Sequence, residues 1–496
     1  MTTITFRRSV AASVLLTVLL HLRFFFTPLT SDEGGYLAIA RAWGHGRDLY
    51  RQVWIDRPQG LLMLFRVWDN IAGGSTTSVR IMATVFAVVA VVAGAFIADA
   101  LGSPRAGAMA AAFVAIVSSA PVLEGFIANG ELLSGALSTA GLAVACLVLA
   151  GRCNLKWMFV SGLLAGCSMS IKQSGFDGLI AIFVWLILAL VVGWRERRYV
   201  LRALSLLVGG LATVMALLVA HGALTGWHDW WFAVAGYRLD SRSALVGADW
   251  GRLFSTADVA APILLPLLIG SVACGVALYE APTRRVRPEH AILLIWLLAA
   301  TAAFASGGQF HRHYWITLTF PLAVIAAMLV ASVHVLWIRS ALAWVVIFPS
   351  LVSAAVIIGL PRDQVPVRAS ADPRSIIDED MAKWFLSNRT NAKWFQVNQP
   401  RPATMYVYCA SAAFYGNALE DPPYPYLWFD GVRQVPGARE ALGAMLASQR
   451  ERPTFVAMYQ TPSGCDPSGV SEKALSDFYR PLTSVRGIQI LVRNDH

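Results

Sequence analysis

A series of eleven apolar runs, each about 17 to 25 residues long, constrains the fold more than any other feature of the chain, because a helix of that length spans a lipid bilayer. A composition of 56% hydrophobic residues with a mean hydropathy of +0.57 excludes an ordinary soluble protein. The sequence therefore predicts a polytopic α-helical membrane protein. The runs cover roughly residues 9–27, 77–101, 105–122, 132–151, 157–173, 175–194, 203–224, 260–280, 290–306, 314–336 and 340–360.

Basic residues are distributed unequally between the loops that alternate along such a chain. The short loops on one side of the membrane, near 123–131, 172–175 and 307–313, carry only Lys172 and Arg312 as basic residues other than histidine. The positive-inside rule then makes the basic side cytoplasmic, with the N-terminus there and the C-terminus outside. Arginines in the short cytoplasmic loops account for much of the net charge of +10, so no nucleic-acid partner is expected. The basic side carries Arg7, Arg8, Arg105, Arg152, Lys156, Arg195, Arg197, Arg198, Arg202, Arg284, Arg285, Arg287 and Arg339.

The composition changes near residue 361, where charge and turn residues increase and no further spanning run follows. We therefore expect two domains, a transmembrane domain over 1–360 and a small extracytoplasmic α/β domain over 361–496. Cys409 and Cys465 of the second domain can form a disulfide if it lies outside the cytoplasm. Its predicted helices are 374–388, 437–449 and 471–483, and its predicted strands are 404–409, 454–458 and 487–492.

Two outer loops are long enough to fold. Within loop 28–76, the patterns predict short amphipathic helices from Asp32 to Trp43 and from Pro58 to Asn70, both lying flat in the membrane interface. The second loop, about 225–259, is rich in aromatic residues, which suit the lipid headgroup level or a groove that binds sugar or lipid.

Every outer loop near the membrane contributes at least one ionisable residue. Each has a structural explanation on its own: Asp32 and Glu33 as charges at a helix start capped by Ser31, and Lys172 as a snorkelling side chain. Their convergence on one side of the membrane favours an enzyme that acts at the outer surface. The set comprises Asp32, Glu33, Asp56, Arg57, Glu124, Glu131, Lys172, His311, Arg312 and His313.

The order of these motifs resembles the GT-C fold membrane glycosyltransferases, in particular the branch of protein O-mannosyltransferases and lipid A aminoarabinose transferases. Arg57 stands where many relatives have lysine, and Glu131 stands where an aspartate is more usual. The matching motifs, in order, are Asp32-Glu33 with Tyr36 after the first helix, Asp56-Arg57-Pro58, Glu131 at the start of the fourth helix, Lys172-Gln173, and His313-Tyr314 with Pro321.

The resemblance implies an inverting transferase that moves a sugar from a polyprenyl-phosphate donor to a hydroxyl of a cell-envelope glycan, a glycolipid or a protein. It implies Asp32 as the base, with Glu33 as the close rival. A divalent metal ion at Asp56, Glu131 and His311 or His313 stays open, because some relatives bind one. The implied substrate-binding residues are Tyr36, Asp56, Arg57, Glu131, Lys172, His311, Arg312 and His313, of which Arg57, Lys172 and Arg312 would hold the donor phosphate.

A transporter or flippase of a lipid-linked sugar is the alternative function. Transporters usually combine repeated halves with ionisable residues near the bilayer midplane. The sequence shows no internal repeat and no clear mid-helix acid apart from Asp99, which lies close to the cytoplasmic end of its span. A membrane scaffold would not need acids in three separate outer loops. Composition rich in alanine and arginine suggests a bacterial cell membrane.

Overall fold

The computed structural model describes residues 3–239, 249–280, 288–333, 335–359, 374–389 and 403–494. The helices up to residue 359 are α1 (Thr3–Leu22), α2 (Ser31–Gly44), α3 (Gln59–Ala72), α4 (Thr76–Leu101), α5 (Pro104–Ser118), α6 (Gly130–Leu149), α7 (Trp157–Ile171), α8 (Asp177–Val192), α9 (Arg197–Thr225), α10 (Trp227–Trp231), α11 (Trp250–Glu280), α12 (Ala291–Ser306), α13 (Ile316–Ser332) and α14 (Leu336–Gly359). Arg284, Arg285, Arg287 and the predicted domain boundary at 360–361 lie outside the described residues.

The helical bundle confirms a multi-pass membrane protein. Within the described ranges, eight helices are long and apolar enough to cross a membrane, and α5, α7 and α8 are shorter apolar helices. These eleven segments overlap the eleven predicted runs. Length and composition do not show how many of them cross, so the number of eleven crossings stays a prediction.

Glycines allow α7 and α9 to pack at very short range. A Cβ atom added at Gly162 would lie 2.0 Å from the Leu207 carbonyl oxygen, and one at Gly210 would lie 2.1 Å from the Phe159 carbonyl oxygen. Close backbone approach between small residues is a common means of joining helices in membranes, where the hydrophobic effect cannot do so. Alanine at either position would force these two helices apart.

The first helix of the outer loop, α2, differs from its prediction. Nine of its 14 residues are buried, including every residue from Glu33 to Ala40, so it lacks the exposed polar side of an amphipathic helix. It packs on α3 and on a helix of the C-terminal domain. A Cβ atom at Gly34 would lie 2.5 Å from the Cα atom of Ala413, so the two backbones touch. The sequence prediction was wrong because α2 is covered by a domain almost 400 residues away.

The second helix of the outer loop, α3, is amphipathic as predicted. Leu61, Leu62 and Phe65 are buried against the bundle, whereas Met63, Val67 and Ile71 are exposed at spacings of four residues. An exposed apolar stripe of this kind suits contact with lipid. The flat position of α3 in the interface stays a prediction.

The C-terminal domain contains a four-stranded sheet in the order β1-β2-β4-β3, in which β1 is parallel to β2 and β4 is antiparallel to β2 and β3. A disulfide joins Cys409, after β1, to Cys465. The strands are β1 (Met405–Val407), β2 (Phe455–Met458), β3 (Tyr479–Val485) and β4 (Ile488–Arg493), and the helices are α15 (Arg374–Asn388), α16 (Ala413–Ala418), α17 (Phe429–Gln434), α18 (Ala438–Ala447), α19 (Pro462–Cys465) and α20 (Val470–Phe478).

One predicted helix of this domain is only half helical. The prediction of a helix over 471–483 holds as far as Phe478, after which the chain continues as β3. Pro481 excludes a continued helix interior, because its ring blocks the preceding turn and it has no N–H to donate. Pairing of β3 with β4 then provides hydrogen-bond partners for the backbone N–H and C=O groups that a helix would otherwise pair.

Candidate active site

The acidic pair at the start of α2 is divided between two environments by helix geometry, since consecutive side chains diverge by about 100°. Thr30, and not the predicted Ser31, caps the helix. Its side chain accepts a hydrogen bond from the Glu33 amide, and its own amide donates to Glu33 Oε2 at 3.1 Å. This capping box holds Glu33 toward the bundle and leaves Asp32 on the other side.

Glu33 is fully buried and both of its carboxylate oxygens are occupied. Oε1 pairs with the Arg80 guanidinium of α4 and accepts a hydrogen bond of 2.8 Å from the Ala128 amide. Arg80 also donates to the Pro28 carbonyl oxygen at 2.7 Å. Glu33 thus joins α2 to α4 and to the loop before α6, as a buried charge must when it is retained.

Asp32, in contrast, makes no hydrogen bond or ion pair with any residue in the described part of the chain. Its carboxylate lies where two cavities meet, one of about 180 Å³ and one of about 590 Å³. Burial raises the pKa of Asp32; nearby His313 and Arg57 oppose that rise and Glu131 reinforces it. A carboxyl group with a raised pKa and free oxygens is suited to accept a proton.

Two arginines form the cationic wall of the smaller cavity. Asp56 Oδ2 lies 3.2 Å from Arg57 Nη1 and 2.5 Å from Arg238 Nη2. Burial opposes ionisation of Asp56, but Arg238 and Arg57 together hold its pKa below the ordinary value. Within this group two guanidiniums face one carboxylate, and Asp32 and Asp430 add two further carboxyl groups to the lining of the same cavity.

Backbone contacts position this wall. The Gln173 side chain donates to the Asp56 carbonyl oxygen at 3.0 Å and to the Val234 carbonyl oxygen at 3.1 Å. Tyr50 donates from its hydroxyl to the Arg57 carbonyl oxygen at 2.9 Å. These hydrogen bonds therefore fix the first loop, the residues that follow α7 and the aromatic-rich loop 225–259 relative to one another.

Glu131 and Lys172 form an ion pair behind the cavities and line neither of them. His313 Nδ1 lies 2.8 Å from Glu124 Oε2, and His313 Nε2 lies 3.8 Å from Glu131 Oε2. The Lys172 ammonium group lies 4.1 Å from the centre of the Tyr314 ring. Burial lowers the pKa of Lys172 to about 8, although the Glu131 carboxylate opposes that change.

The remaining predicted site residues lie on the cavity walls. Tyr36 lines the smaller cavity, Arg312 lines the larger one, and His311 and His313 line both. Burial, with neighbouring His313 and Arg252, lowers the pKa of His311 to about 3, so it is a neutral hydrogen-bonding group at pH 7. All predicted site residues except Glu33, Glu131 and Lys172 therefore line at least one of the two cavities.

Sequence reasoning missed several wall residues. Arg238 directly follows Tyr237 of the aromatic loop, which was a signal that could have found it. Trp428 and Asp430 of the C-terminal domain also line both cavities, and no local signal marked them. The domain is held in place there by a hydrogen bond of 2.9 Å from Tyr237 to Gln434.

The residues suggested for a divalent metal do not fit one. Asp56 already pairs with two arginines and Glu131 with Lys172, so a metal cation would have to displace three resident positive charges. Among the residues that the structure describes, no group of three or more histidine, cysteine or acidic side chains could hold an ion.

The chain is similar to several solved structures over nearly its whole length. ArnT from Cupriavidus metallidurans in the apo state aligns with a TM-score of 0.64 and 11% identity, over 97% of each chain. The same protein bound to undecaprenyl phosphate aligns with a TM-score of 0.61 and 13% identity, over 99% of this chain and 98% of that one.

A third similar structure is the oligosaccharyltransferase AglB from Archaeoglobus fulgidus, in complex with an inhibitory peptide and a dolichol-phosphate. It aligns with a TM-score of 0.55 and 12% identity, over 96% of this chain and 72% of that chain. No protein-family model and no curated protein sequence matches the chain. At these identities the likeness concerns the fold, and it confirms the predicted one: the chain is a multi-pass membrane protein with the GT-C fold.

Proposed function

We propose that the protein is an inverting glycosyltransferase that moves a sugar from a polyprenyl-phosphate donor to an acceptor hydroxyl at the outer face of the cell membrane. The observation that carries the proposal is the unpaired Asp32 carboxylate where two cavities meet, in a wall shared with the Arg57 and Arg238 guanidiniums. The solved structures of the same fold support the donor class, since one holds undecaprenyl phosphate and another a dolichol-phosphate.

The phosphate of the donor would bind at Arg57 and Arg238. Both guanidiniums lie on the smaller cavity, and arginine is suited to bind a phosphate through charge-assisted, bidentate hydrogen bonds. The same contacts strengthen as the phosphate departs with the bonding electron pair, so they stabilise the transition state more than the bound donor. Aromatic Trp54 and Tyr237, on the same wall, offer ring faces to the sugar.

Asp32 would act as the base. The acceptor oxygen attacks the anomeric carbon from the side opposite the phosphate, the bond from that carbon to the phosphate oxygen breaks, and the acceptor proton passes to an Asp32 oxygen. One displacement of this kind inverts the anomeric configuration and needs one base. We assign the base to Asp32 and not to Glu33, because both Glu33 oxygens already hold structural partners.

Lys172 and Glu131 would act from behind the cavity wall. Their ion pair lies beside Tyr314 and next to His313, which contacts Glu124 and lines both cavities. We infer that the pair fixes these groups and that the Lys172 charge offsets the Glu131 charge behind the phosphate site. The disulfide between Cys409 and Cys465 supports an extracytoplasmic site, because disulfides form in oxidising compartments.

The test is sugar transfer from radiolabelled polyprenyl-phosphate sugars to envelope acceptors by the purified protein in liposomes. Asp32→Asn should lower the transfer rate by about 10²- to 10⁴-fold, the usual contribution of a general base. Asp99→Asn, a change of the same type in α4 away from both cavities, serves as the matched control and should transfer normally.

Two outcomes would contradict the proposal. Normal transfer by a folded Asp32→Asn variant would exclude Asp32 as the base. Movement of the lipid-linked sugar across the liposome membrane, with no donor consumed by the wild type, would favour a flippase instead.

A further inference from the structure

A short helix of the C-terminal domain, α17, forms part of the wall of the smaller cavity. Asp430 and Gln434 lie four residues apart on it, so their side chains project from the same face of the helix. Both residues line the smaller cavity, and Asp430 also lines the larger one. Neither residue has a role in the base or phosphate steps proposed above.

Asp430 offers a carboxylate that has no structural partner. It makes no hydrogen bond or ion pair with the residues that the structure describes, and it is exposed. The burial that remains and the Asp56 carboxylate raise the pKa of Asp430, and nearby arginines, Arg433 first among them, oppose that rise. A carboxylate in this position can accept hydrogen bonds from two hydroxyls of a ligand.

Gln434 offers the complementary donor. Its side-chain oxygen accepts a hydrogen bond of 2.9 Å from the Tyr237 hydroxyl, which fixes the orientation of the amide. The N–H groups of the same amide have no partner among the described residues, and Gln434 is exposed. The helix α17 thus presents an acceptor and a donor of hydrogen bonds on one face.

Aromatic rings complete this part of the smaller cavity. Trp54 and Tyr237 line it with their ring centres 5.0 Å apart, in an edge-to-face arrangement. A Cβ atom added at Gly431 would lie 3.4 Å from the Trp54 ring, so α17 packs directly against that ring. A sugar has apolar C–H faces and hydroxyls at its edge, and it therefore matches a wall in which aromatic rings stand beside hydrogen-bonding groups.

The position of α17 suits the sugar of the donor. Tyr237, which donates to Gln434, is followed directly by Arg238, one of the two arginines proposed for the phosphate. The sugar is joined to that phosphate through a single oxygen atom, so groups that contact the sugar must lie next to the phosphate site. Asp430 and Gln434 line the same cavity as Arg238 and satisfy this condition.

We propose that Asp430 and Gln434 bind the sugar that is transferred, so that the C-terminal domain selects the donor sugar. Asp430 accepts hydrogen bonds from adjacent sugar hydroxyls, and Gln434 donates to a neighbouring sugar oxygen. This inference rests on the transferase function proposed above. It makes both residues determinants of specificity, while the proton transfer stays with Asp32.

Calorimetry on the full-length protein in detergent micelles compares farnesyl phosphate with farnesyl-phosphoryl mannose, glucose, galactose and arabinose. We expect at least one of these sugars to raise the affinity over farnesyl phosphate by about ten- to hundredfold, as a hydrogen bond to a charged group would. Asp430→Ala should remove this gain and leave the binding of farnesyl phosphate unchanged, whereas Asp430→Asn should keep part of the gain. A monodeoxy analogue that lacks the hydroxyl bound by Asp430 should bind the wild type and Asp430→Ala equally.

Two further variants serve as controls. Asp477→Ala removes an exposed aspartate of α20 that lines neither cavity, and it should bind every compound as the wild type does. Arg238→Gln should weaken the binding of farnesyl phosphate and of its sugar derivatives alike, which separates the phosphate site from the sugar site.

Equal binding of farnesyl phosphate and all four sugar derivatives by the wild type would overturn the inference alone. An undiminished gain in Asp430→Ala would also overturn it. In that case a lower thermal stability of the variant would make Asp430 a helix charge that stabilises α17, and a raised KM for the acceptor would assign it to the acceptor. A wild type that binds neither farnesyl phosphate nor its sugar derivatives would contradict the transferase function together with this inference.

Discussion

The ionic groups at the two ends of the helix bundle use the same residue types but differ in how completely they are paired. At the end remote from α2, Arg152 lies 2.5 Å from Asp99 Oδ2, and Arg195 lies 2.7 Å from Glu289 Oε1. At the α2 end, Glu33, Asp56 and Glu131 are also paired, but Asp32 is not.

The difference shows that an ion pair at a membrane boundary does not mark a functional site. Pairing is the ordinary way to keep a charge near lipid, and it occurs at both ends. What distinguishes the α2 end is a carboxylate that is left without a partner, faces open cavities and is covered by a second domain. Five predictions test how far this contrast holds, and the first four are given in order of decreasing effect.

The largest effect on stability is expected for the buried ion pair between Glu33 and Arg80 at the α2 end of the bundle. Glu33→Gln removes the partner of the buried Arg80 guanidinium, and breaking a buried pair in this way costs about 3–5 kcal/mol of the free energy of unfolding. Arg195→Gln, at the other end, breaks a half-exposed pair and should cost less than about 1 kcal/mol. Denaturant titration of both purified variants measures the two costs. Equal costs would mean that the different burial of the two ion pairs does not affect the free energy of unfolding.

Gly34→Ala should disturb the packing of the C-terminal domain on α2. Its new Cβ atom would lie 2.5 Å from the Ala413 backbone, which must move away, at a cost of about 1–3 kcal/mol typical of overpacking. Gly359→Ala places its Cβ atom in open space and is the control. Thermal unfolding and limited proteolysis of the C-terminal domain report the change. A Gly34→Ala variant as stable and protease-resistant as the control would argue against tight packing of α2 on that domain.

Arg238→Gln should weaken donor binding. The loss of one charge-assisted contact, about 1.5–3 kcal/mol, corresponds to a rise in the donor KM of about ten- to hundredfold. The donor KM of Arg195→Gln should stay at the wild-type value, since that arginine lies on neither of the two cavities that Asp32 lines. An unchanged KM in Arg238→Gln would move the phosphate site elsewhere.

The smallest effect is expected in the pH profile of the donor KM. Burial lowers the pKa of Lys172 to about 8, so its positive charge is present below pH 8 and lost above it. Since Lys172 lies behind the phosphate site, the KM should rise by about threefold between pH 7 and 9, a modest change at a high effective dielectric constant. Lys172→Arg keeps its charge over this range and should flatten the rise. A rise that persists in Lys172→Arg would assign it to another group.

The acid side of a different profile, that of the transfer rate against pH, concerns Asp32. Because burial raises its pKa, the carboxylate becomes protonated at a higher pH than an ordinary aspartate, and the rate should fall there as pH decreases. A decline at the same pH as that expected for an ordinary aspartate would contradict the raised pKa.

Much of the fold could be predicted from the sequence because its signals are local. Apolar length identifies the membrane helices, and hydrophobic spacing identifies α3, since both depend on residues a few positions apart. The ordered outer-loop motifs also predicted the GT-C fold. The end of α20 was misplaced because pairing with β4 is a contact made in the folded domain.

By itself, the sequence determined that the chain is a membrane bundle, and it predicted that acids and bases are gathered in the outer loops. Only the tertiary structure decided which of these charges are paired and which line a cavity. Asp32 and Glu33 are neighbours of the same chemical class, and no local pattern separates them; Arg80 and Ala128 engage one, while the cavities beneath Trp428 leave the other open. The reason is physical: the state of a carboxylate depends on the groups that surround it in space, and here those groups come from α4, the loop before α6 and a domain some 400 residues away.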